Sequence, residues 1–397
     1  MIKDKDATAP LRLRLYEAHL RYPAGQEVHT AASGRIAALH EIILEIEDRE
    51  AGVTGVGEVR ANAAFITGTP SENVALGVIA LCRSLDMSSA ENLAASFAEH
   101  APSVPKICRA LVDNALVDLL ARRAGLAAAA FLGGEWQPQG LACNNCVFWG
   151  NDADMAANLG RYIARGFRKI KLRVGVGTPE DDERRLAFLR RQGGDELELS
   201  LDANGAWSAD QALAALDRLR RYSPAYIEQP THKGDWRALE RVARDGGLLV
   251  MIDEGLQDEE DVARVCANAG RIAAHLKICK AGGVRPLLEI GRRFDRAGVR
   301  YVMGQMNEGM IATAIAVHAG MALSPLVGEL YGALGIENDV ADGVSYRDGR
   351  VYVPDGPGIG VALRGRPAAM LWSRPEGLVG PSGYVDARAR EGEQTRQ

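Results

Sequence analysis

Residues 167–175 read FRKIKLRVG, with Lys169, Lys171 and Arg173 on alternate positions and Ile170, Leu172 and Val174 between them. Side chains of a strand alternate between its two faces, so the segment has one aliphatic face and one strongly positive face. Alone, the positive face would be a solvated one; the chain around it argues otherwise. From about residue 140, short apolar runs alternate with amphipathic helical segments. The expected strands are LACNNCVFW, FRKIKLRV, LELSLDAN, AYIEQP, LVMIDEG, AHLKICK, RYVMGQM and SPLVGEL; PEDDERRLAFLRRQ, SADQALAALDRLRR and RPLLEIGRRFDRAG are among the helices between them. Eight strands alternating with helices over roughly two hundred residues predict a (β/α)8 barrel, an α/β architecture.

The first third reads as a separate α+β unit. LRLRLYEAHL, HEIILEIED and VTGVGEVRA are expected strands, and CRALVDNALVDLLARRAG an expected helix with an apolar side and a glycine stop at Gly125. The segment DGRVYVPDGPGIGVAL is expected to return as extended chain to this first unit, and the charged end ARAREGEQTRQ to be disordered. The domain expectation is therefore 1–135 for the N-terminal unit, 136–350 for the barrel, 351–380 for the returning segment and 381–397 for the tail.

Charged residues recur at the ends of successive barrel strands: Lys171, Asp202, Glu228, Asp253 and Lys277, separated by 31, 26, 25 and 24 residues. A βα unit occupies about that length, so these side chains are expected to converge on the C-terminal mouth. Singly, an Asp after a strand reads equally well as a helix cap. Three acids on three consecutive strands repel one another in a partly buried mouth unless a cation neutralises them. All are oxygen donors, which suits Mg²⁺, or Mn²⁺ in its place, better than Zn²⁺. A lysine beside a metal and other cations loses proton affinity and becomes a usable base.

The remaining composition is that of an ordinary globular protein. The 397 residues carry a net charge of −5, with 47% hydrophobic and 25% charged residues, which gives no electrostatic pull toward nucleic acid or anionic membrane. MIKDKDATAP has charges where a secretory signal needs an apolar run, so the chain is expected to be cytoplasmic. Six scattered cysteines suit buried reduced thiols, and CNNC, Cys143 to Cys146, is read as structural because strand positions three apart face opposite ways.

KIK (169–171), LDANGAW, YIEQP, MIDEG and LKICKAGG, in this order and spacing, resemble the enolase superfamily, specifically its muconate lactonizing subgroup. The resemblance extends over nearly the whole chain. It implies a modified barrel with an N-terminal capping domain, and Mg²⁺ held by Asp202, Glu228 and Asp253, with a substrate carboxylate on the metal. It implies further that Lys171 and Lys277 serve opposite faces of the α-carbon, that Lys169 supports the carboxylate, and that Asn204 and Glu254 back the ligands.

The likeness thins on the seventh and eighth strands. GQMNEGM puts Glu308 on an expected acid, but Gln305 and Asn307 depart from the pattern; they read either as substrate contacts or as partners within the barrel. GELYGALGIENDVADG lacks the Asp-x-Asp of dipeptide epimerases and offers Glu329 as a receiver for a cation. Capping loops near RYPAGQEVHT and EVRANAAFITGTP offer Arg60, Asn62 and Phe65 as contacts; His232, His275 and His318 read as structural, and Trp149 either as a ligand wall or as core. The expected function is a Mg²⁺-dependent racemase or epimerase of an amino-acid derivative. The alternatives are a lyase, such as a hydroxy-acid or hydroxyproline-type dehydratase, and a muconate-type cycloisomerase. A small carboxylate substrate and a homo-oligomer, dimer or octamer, are the expected partners.

Overall fold

A computed structural model describes residues 10–23, 28–30, 34–147, 151–365, 369–375 and 377–378. Among them, eight parallel strands form one sheet in sequence order: Asn145–Val147, Lys169–Arg173, Glu198–Asp202, Tyr226–Glu228, Leu249–Ile252, Ile272–Lys277, Tyr301–Gly304 and Gly328–Glu329. Cys143 forms a parallel bridge with Gly328, and Asn144 N donates to Gly328 O at 2.9 Å, so the eighth strand meets the chain entering the first. The sheet closes on itself as the predicted barrel. The first and eighth strands are shorter than expected. Leu141–Ala142 leaves the barrel to pair with Arg350–Tyr352, and Trp149 lies outside the described residues, as does the tail at 381–397.

Local sequence explains where the helices begin. Thr178, Ser208 and Asp258 cap the helices Pro179–Gly193, Ala209–Leu219 and Glu259–Ala267, each with a reciprocal bond from the third residue in. All six cysteines are free and five are buried; burial pushes the thiols of Cys143 and Cys146 up to about 12, which leaves them unreactive. No helix among the described residues is long and apolar enough to cross a membrane.

The capping unit is an antiparallel sheet in the order Gly377–Leu378, Ala369–Arg374, Leu11–Leu20, Leu39–Asp48, Val53–Arg60. The chain thus returns at its end to lie beside its first long strand. The helix Lys106–Arg123 packs on this sheet, and two glycines let it come close. A Cβ at Gly55 would fall 2.4 Å from Leu119 N, and one at Gly57 would fall 2.6 Å from Leu111 O. The helix is buried on more than its apolar side because barrel helices cover its other face. Its polar residues are matched there: Asp118 accepts from Val56 N at 2.9 Å and Ile359 N at 2.8 Å, and Asp113 accepts from Arg285 Nε at 2.6 Å.

The cap also grips the barrel through a buried acidic group. The helix Met310–Met321 starts at Gly309 with no side-chain cap of its own. Glu58 supplies one by accepting from Ala312 N at 2.9 Å, and Asp339 another by accepting from Met310 N at 3.0 Å. Glu41 and Glu308 lie beside them, Arg60 is the nearby cation, and both Glu41 oxygens are buried without a hydrogen-bond partner. Burial first, then mutual repulsion, pushes Glu41 and Glu58 well above the usual carboxylate range; burial pushes Asp339 up to about 6. Acids with raised folded-state values contribute stability that is complete below their unfolded values and lost as pH rises through the folded ones. For Asp339 that window runs from 3.8 to about 6, and for the two glutamates it extends further up. Glu41→Gln is therefore expected to raise the melting temperature at pH 8 by several degrees and to change little at pH 5. Equal melting curves at pH 8 would refute a buried charge there.

Candidate active site

The site is built at the C-terminal ends of the barrel strands. Asp202 ends the third strand and Glu228 the fourth, Asp253 and Glu254 follow the fifth, Lys277 ends the sixth and Glu329 the eighth. Left-handed backbone at Asn204 (φ 44°) and Gln229 (φ 35°) turns the chain sharply just past two of these acids, an uncommon conformation for residues with a side chain. Each turn has a purpose visible in its bonds. Asn204 N donates to Asp202 Oδ1 at 2.9 Å, and Gln229 Oε1 accepts from Asp253 N and Gly255 N, both at 3.0 Å, so one strand's end fixes the next strand's acid.

Cations oppose these acids from two sides of the ring. On the second strand, Lys171 Nζ lies 3.1 Å from Glu228 Oε2, 3.1 Å from Asp202 Oδ2 and 2.5 Å from Glu329 Oε1. Arg173 Nη1 lies 2.6 Å from Asp202 Oδ2 and donates to Asn204 Oδ1, whose amide donates in turn to Glu254 Oε1 at 2.8 Å. Across the barrel, Lys277 Nζ donates to Asp253 Oδ2 at 2.6 Å, and Lys280 Nζ to Asp253 Oδ1 at 2.8 Å and to Asp253 O at 2.6 Å. His275 Nδ1 is 2.9 Å from Glu228 Oε1, and its Nε2 sits where a Cβ on Gly304 would be, at 1.8 Å, so glycine is required there.

Electrostatics follow from this pairing. Burial works against charge on Asp202, but Arg173 and Lys171 hold its carboxyl down at about 2. Asp253 is likewise held well below the carboxylate range against burial, by Lys277 and Lys280. Burial disfavours the ammonium of Lys171 and of Lys277, yet the surrounding carboxylates keep both above the ordinary lysine value. Glu254 makes no ion pair among the described residues, and burial, then Asp253 and Asp202 nearby, pushes it up to about 7 against the pull of Lys277.

The structure brings together Lys171, Lys277, Asp202, Glu228, Asp253, Asn204 and Glu254, with Gln305, Asn307 and Glu329, around a cavity of about 40 Å³. Arg60 and Phe65 of the capping unit also line it, whereas Asn62 stands behind Arg60 and receives its Nε at 2.8 Å. Gln305 is held by Thr313 Oγ1 at 3.1 Å, and Asn307 by the Tyr22 hydroxyl at 3.3 Å, so both make bonds within the protein. Glu308 turns away from the mouth toward Glu58 and accepts from Met306 N and Arg60 N. His318 is a buried structural group whose Nδ1 accepts from Ala129 N at 3.1 Å.

Lys169, like Glu308, is a predicted site residue that the structure places elsewhere. It lies two residues before Lys171, one layer down the barrel, and its Nζ pairs with Glu198 Oε2 at 2.6 Å near the surface. Parallel register matches Arg173 with Asp202 and Asp202 with Glu228, so the cationic pair in the mouth is Lys171 and Arg173. A half-exposed ion pair contributes little. Lys169→Ala is expected to leave the rate of α-proton exchange within about twofold of the parent, measured by deuterium incorporation; a large loss would return Lys169 to the site.

The residues suit a hard divalent cation. Asp202, Glu228 and Asp253 are anionic oxygen donors on consecutive strands, and Glu254 Oε2 is buried there without a hydrogen-bond partner. Cations take part of the coordination of the expected three, Lys171 bridging Asp202 and Glu228 and Lys277 holding Asp253. Among the described residues of the mouth, Glu228, His275 and Glu329 place possible ligand atoms within 4.8 Å of one another.

Residues 154–367, more than half the chain, match the family described as enolase C-terminal domain-like. The chain belongs to the enolase superfamily. Within it, this enolase-superfamily protein is similar to a chloromuconate cycloisomerase of Pseudomonas putida, 28% identical over 259 residues, 64% of this chain and 70% of that one. It is also similar to a hydrophobic dipeptide epimerase of Enterococcus faecalis, 28% identical over 332 residues, 81% of this chain and 90% of that one. In fold it resembles the muconate lactonizing enzyme of Pseudomonas fluorescens solved with muconolactone, at a TM-score of 0.82 and 24% identity over 89% of this chain and 97% of that one. These likenesses place this superfamily member with the muconate lactonizing subgroup.

Proposed function

We propose that this superfamily member is a Mg²⁺-dependent enzyme that removes the proton α to a substrate carboxylate, with Lys277 as its base. Asp202, Glu228 and Asp253 are the residues that would hold the metal. Bound there, Mg²⁺ would balance the acids' charge, hold the substrate carboxylate and stabilise the enediolate. One observation carries the choice among reactions. Strands two and six stand opposite each other in an eight-strand ring; strand six offers Lys277 to the mouth, and strand two offers Arg173 at its end, with Lys171 one layer deeper and engaged by three carboxylates. A guanidinium stays charged and takes no proton. Arg173 instead offers fixed N–H donors to a carboxylate or a departing oxygen, and Lys277 does the proton work from the other side. One-base chemistry suits elimination or cycloisomerisation better than inversion at the α-carbon.

A second reading keeps the two-lysine racemase or epimerase. It is favoured by Lys171, which also lines the cavity beneath Arg173, and by the epimerase among the similar proteins. Proton NMR in D₂O with Mg²⁺ separates the two on a panel of N-acyl amino acids, dipeptides, cyclic amino acids with their betaines, and hydroxylated acids. The expected result is loss of the α-proton signal together with an unsaturated or keto product. Exchange accompanied by the opposite stereoisomer would overturn the one-base reading.

A further inference from the structure

A second cluster of ligand side chains lies on the capping sheet, away from the mouth. Glu17 and His19 are two apart on the strand Leu11–Leu20 and so share a face; His40, on Leu39–Asp48, is the register partner of His19. The two imidazoles stack with centroids 4.8 Å apart, and His40 Nε2 lies 3.3 Å from Glu17 Oε2. One ligand atom from each of the three falls within 4.8 Å of the others. Ser71 Oγ sits 3.0 Å from His40 Nδ1. The Ser71 hydroxyl can either donate to or accept from Nδ1, so the imidazole is free to turn its Nε2 lone pair toward a cation shared with Glu17 when one is bound, and to donate from Nε2 to Glu17 when none is. A hydrogen-bonded far nitrogen is the usual support of a metal-binding histidine.

We infer that Glu17, His19 and His40 form a binding site for one borderline first-row divalent cation, Zn²⁺ or a neighbour such as Co²⁺ or Ni²⁺, separate from the Mg²⁺ ligands in the barrel. Two imidazoles and one carboxylate, with room for solvent on the open side of His19, match the preference of these ions and not that of Mg²⁺. The position gives the site a consequence. Leu20 and Leu39 end and begin the two strands, so the ion would pin the base of the connection between them. Tyr22 in that connection touches Asn307 at the mouth, and His40 N donates to Asn62, which receives Arg60, so both arms lead from the pinned base to the cavity lining.

The test is a calorimetric Zn²⁺ titration of the full chain in excess Mg²⁺, with the Co²⁺ visible spectrum as a second readout. The expected result is one Zn²⁺ per chain that survives in Glu228→Gln, where the mouth is damaged. His19→Ala and His40→Ala should weaken it by at least tenfold, and Ser71→Ala by about tenfold or more through loss of His40 support. His19 is exposed, so its variant tests ligation without threatening the fold. Zn²⁺ binding that disappears in Glu228→Gln, or that is unchanged in both histidine variants, would overturn the site, as would no binding at all.

Discussion

Lys277→Ala is expected to lower α-proton exchange by about 10²–10⁴-fold, the usual contribution of a positioned base, and to leave Mg²⁺ affinity nearly unchanged. The second half of that expectation comes from Lys280. Asp253 keeps bonds from Lys280 Nζ at both Oδ1 and its backbone oxygen after Lys277 is gone, so its charge is not left unpaired and the ligand stays in place. Lys171→Ala is different in kind. Lys171 stands among Asp202, Glu228 and Glu329, and removing it leaves three buried acids short of a cation, so metal affinity should rise as well as rate change. Deuterium exchange on a turned-over substrate, with Mg²⁺ titration of each variant, reads both effects. Full exchange in Lys277→Ala would sink its assignment as base.

Glu228→Gln is expected to weaken Mg²⁺ binding by about two orders of magnitude. Withdrawing a unit charge from about 4 Å of a divalent ion costs on the order of 8 kcal/mol at an effective dielectric of about 20, and much of that returns because an amide is cheaper to bury than a carboxylate. The residue is central to the mouth: one oxygen faces Lys171 and the other faces His275. The amide can keep the Lys171 bond through its oxygen, and its nitrogen can meet His275 only if the imidazole changes tautomer so that Nδ1 accepts. Calorimetric titration with Mg²⁺ measures the loss, and an unchanged affinity would mean that the metal uses other ligands.

Much of this arrangement is legible in the sequence for a simple reason. A buried parallel strand writes itself as a short apolar run, and a functional acid at its end stands out against that run. Thus Asp202, Glu228, Asp253 and Lys277 emerge from spacing. The same spacing holds a warning about Lys171: it lies 31 residues before Asp202, where the other intervals are 24 to 26, and Arg173 lies 29 before it. Alternation alone places Lys169, Lys171 and Arg173 on one face but gives no depth, and depth separates a surface ion pair from a site residue. His275 carries only the weak signal of lying two residues before Lys277 on one strand, and Lys280 carries none of its own, because the importance of each depends on a partner from a neighbouring strand. Glu308 is misleading for a related reason. The strand ends at Gly304, and left-handed backbone at Asn307 (φ 57°) breaks the alternation that would have aimed it at the mouth.

The acidic grip of the cap on the helix Met310–Met321 bears on how such a protein can be reshaped. Residues that line the mouth, Arg60 and Phe65, and the carboxylate that starts a barrel helix, Glu58, sit on one short piece of chain. Exchanging that piece for a relative's, to borrow its selectivity, also exchanges the hydrogen-bond acceptor on which the barrel's seventh helix depends. Grafts that keep Glu58 and its neighbours Gly55 and Gly57 while varying only residues beyond Arg60 preserve the join. Grafts cut upstream of them put selectivity and folding at stake together.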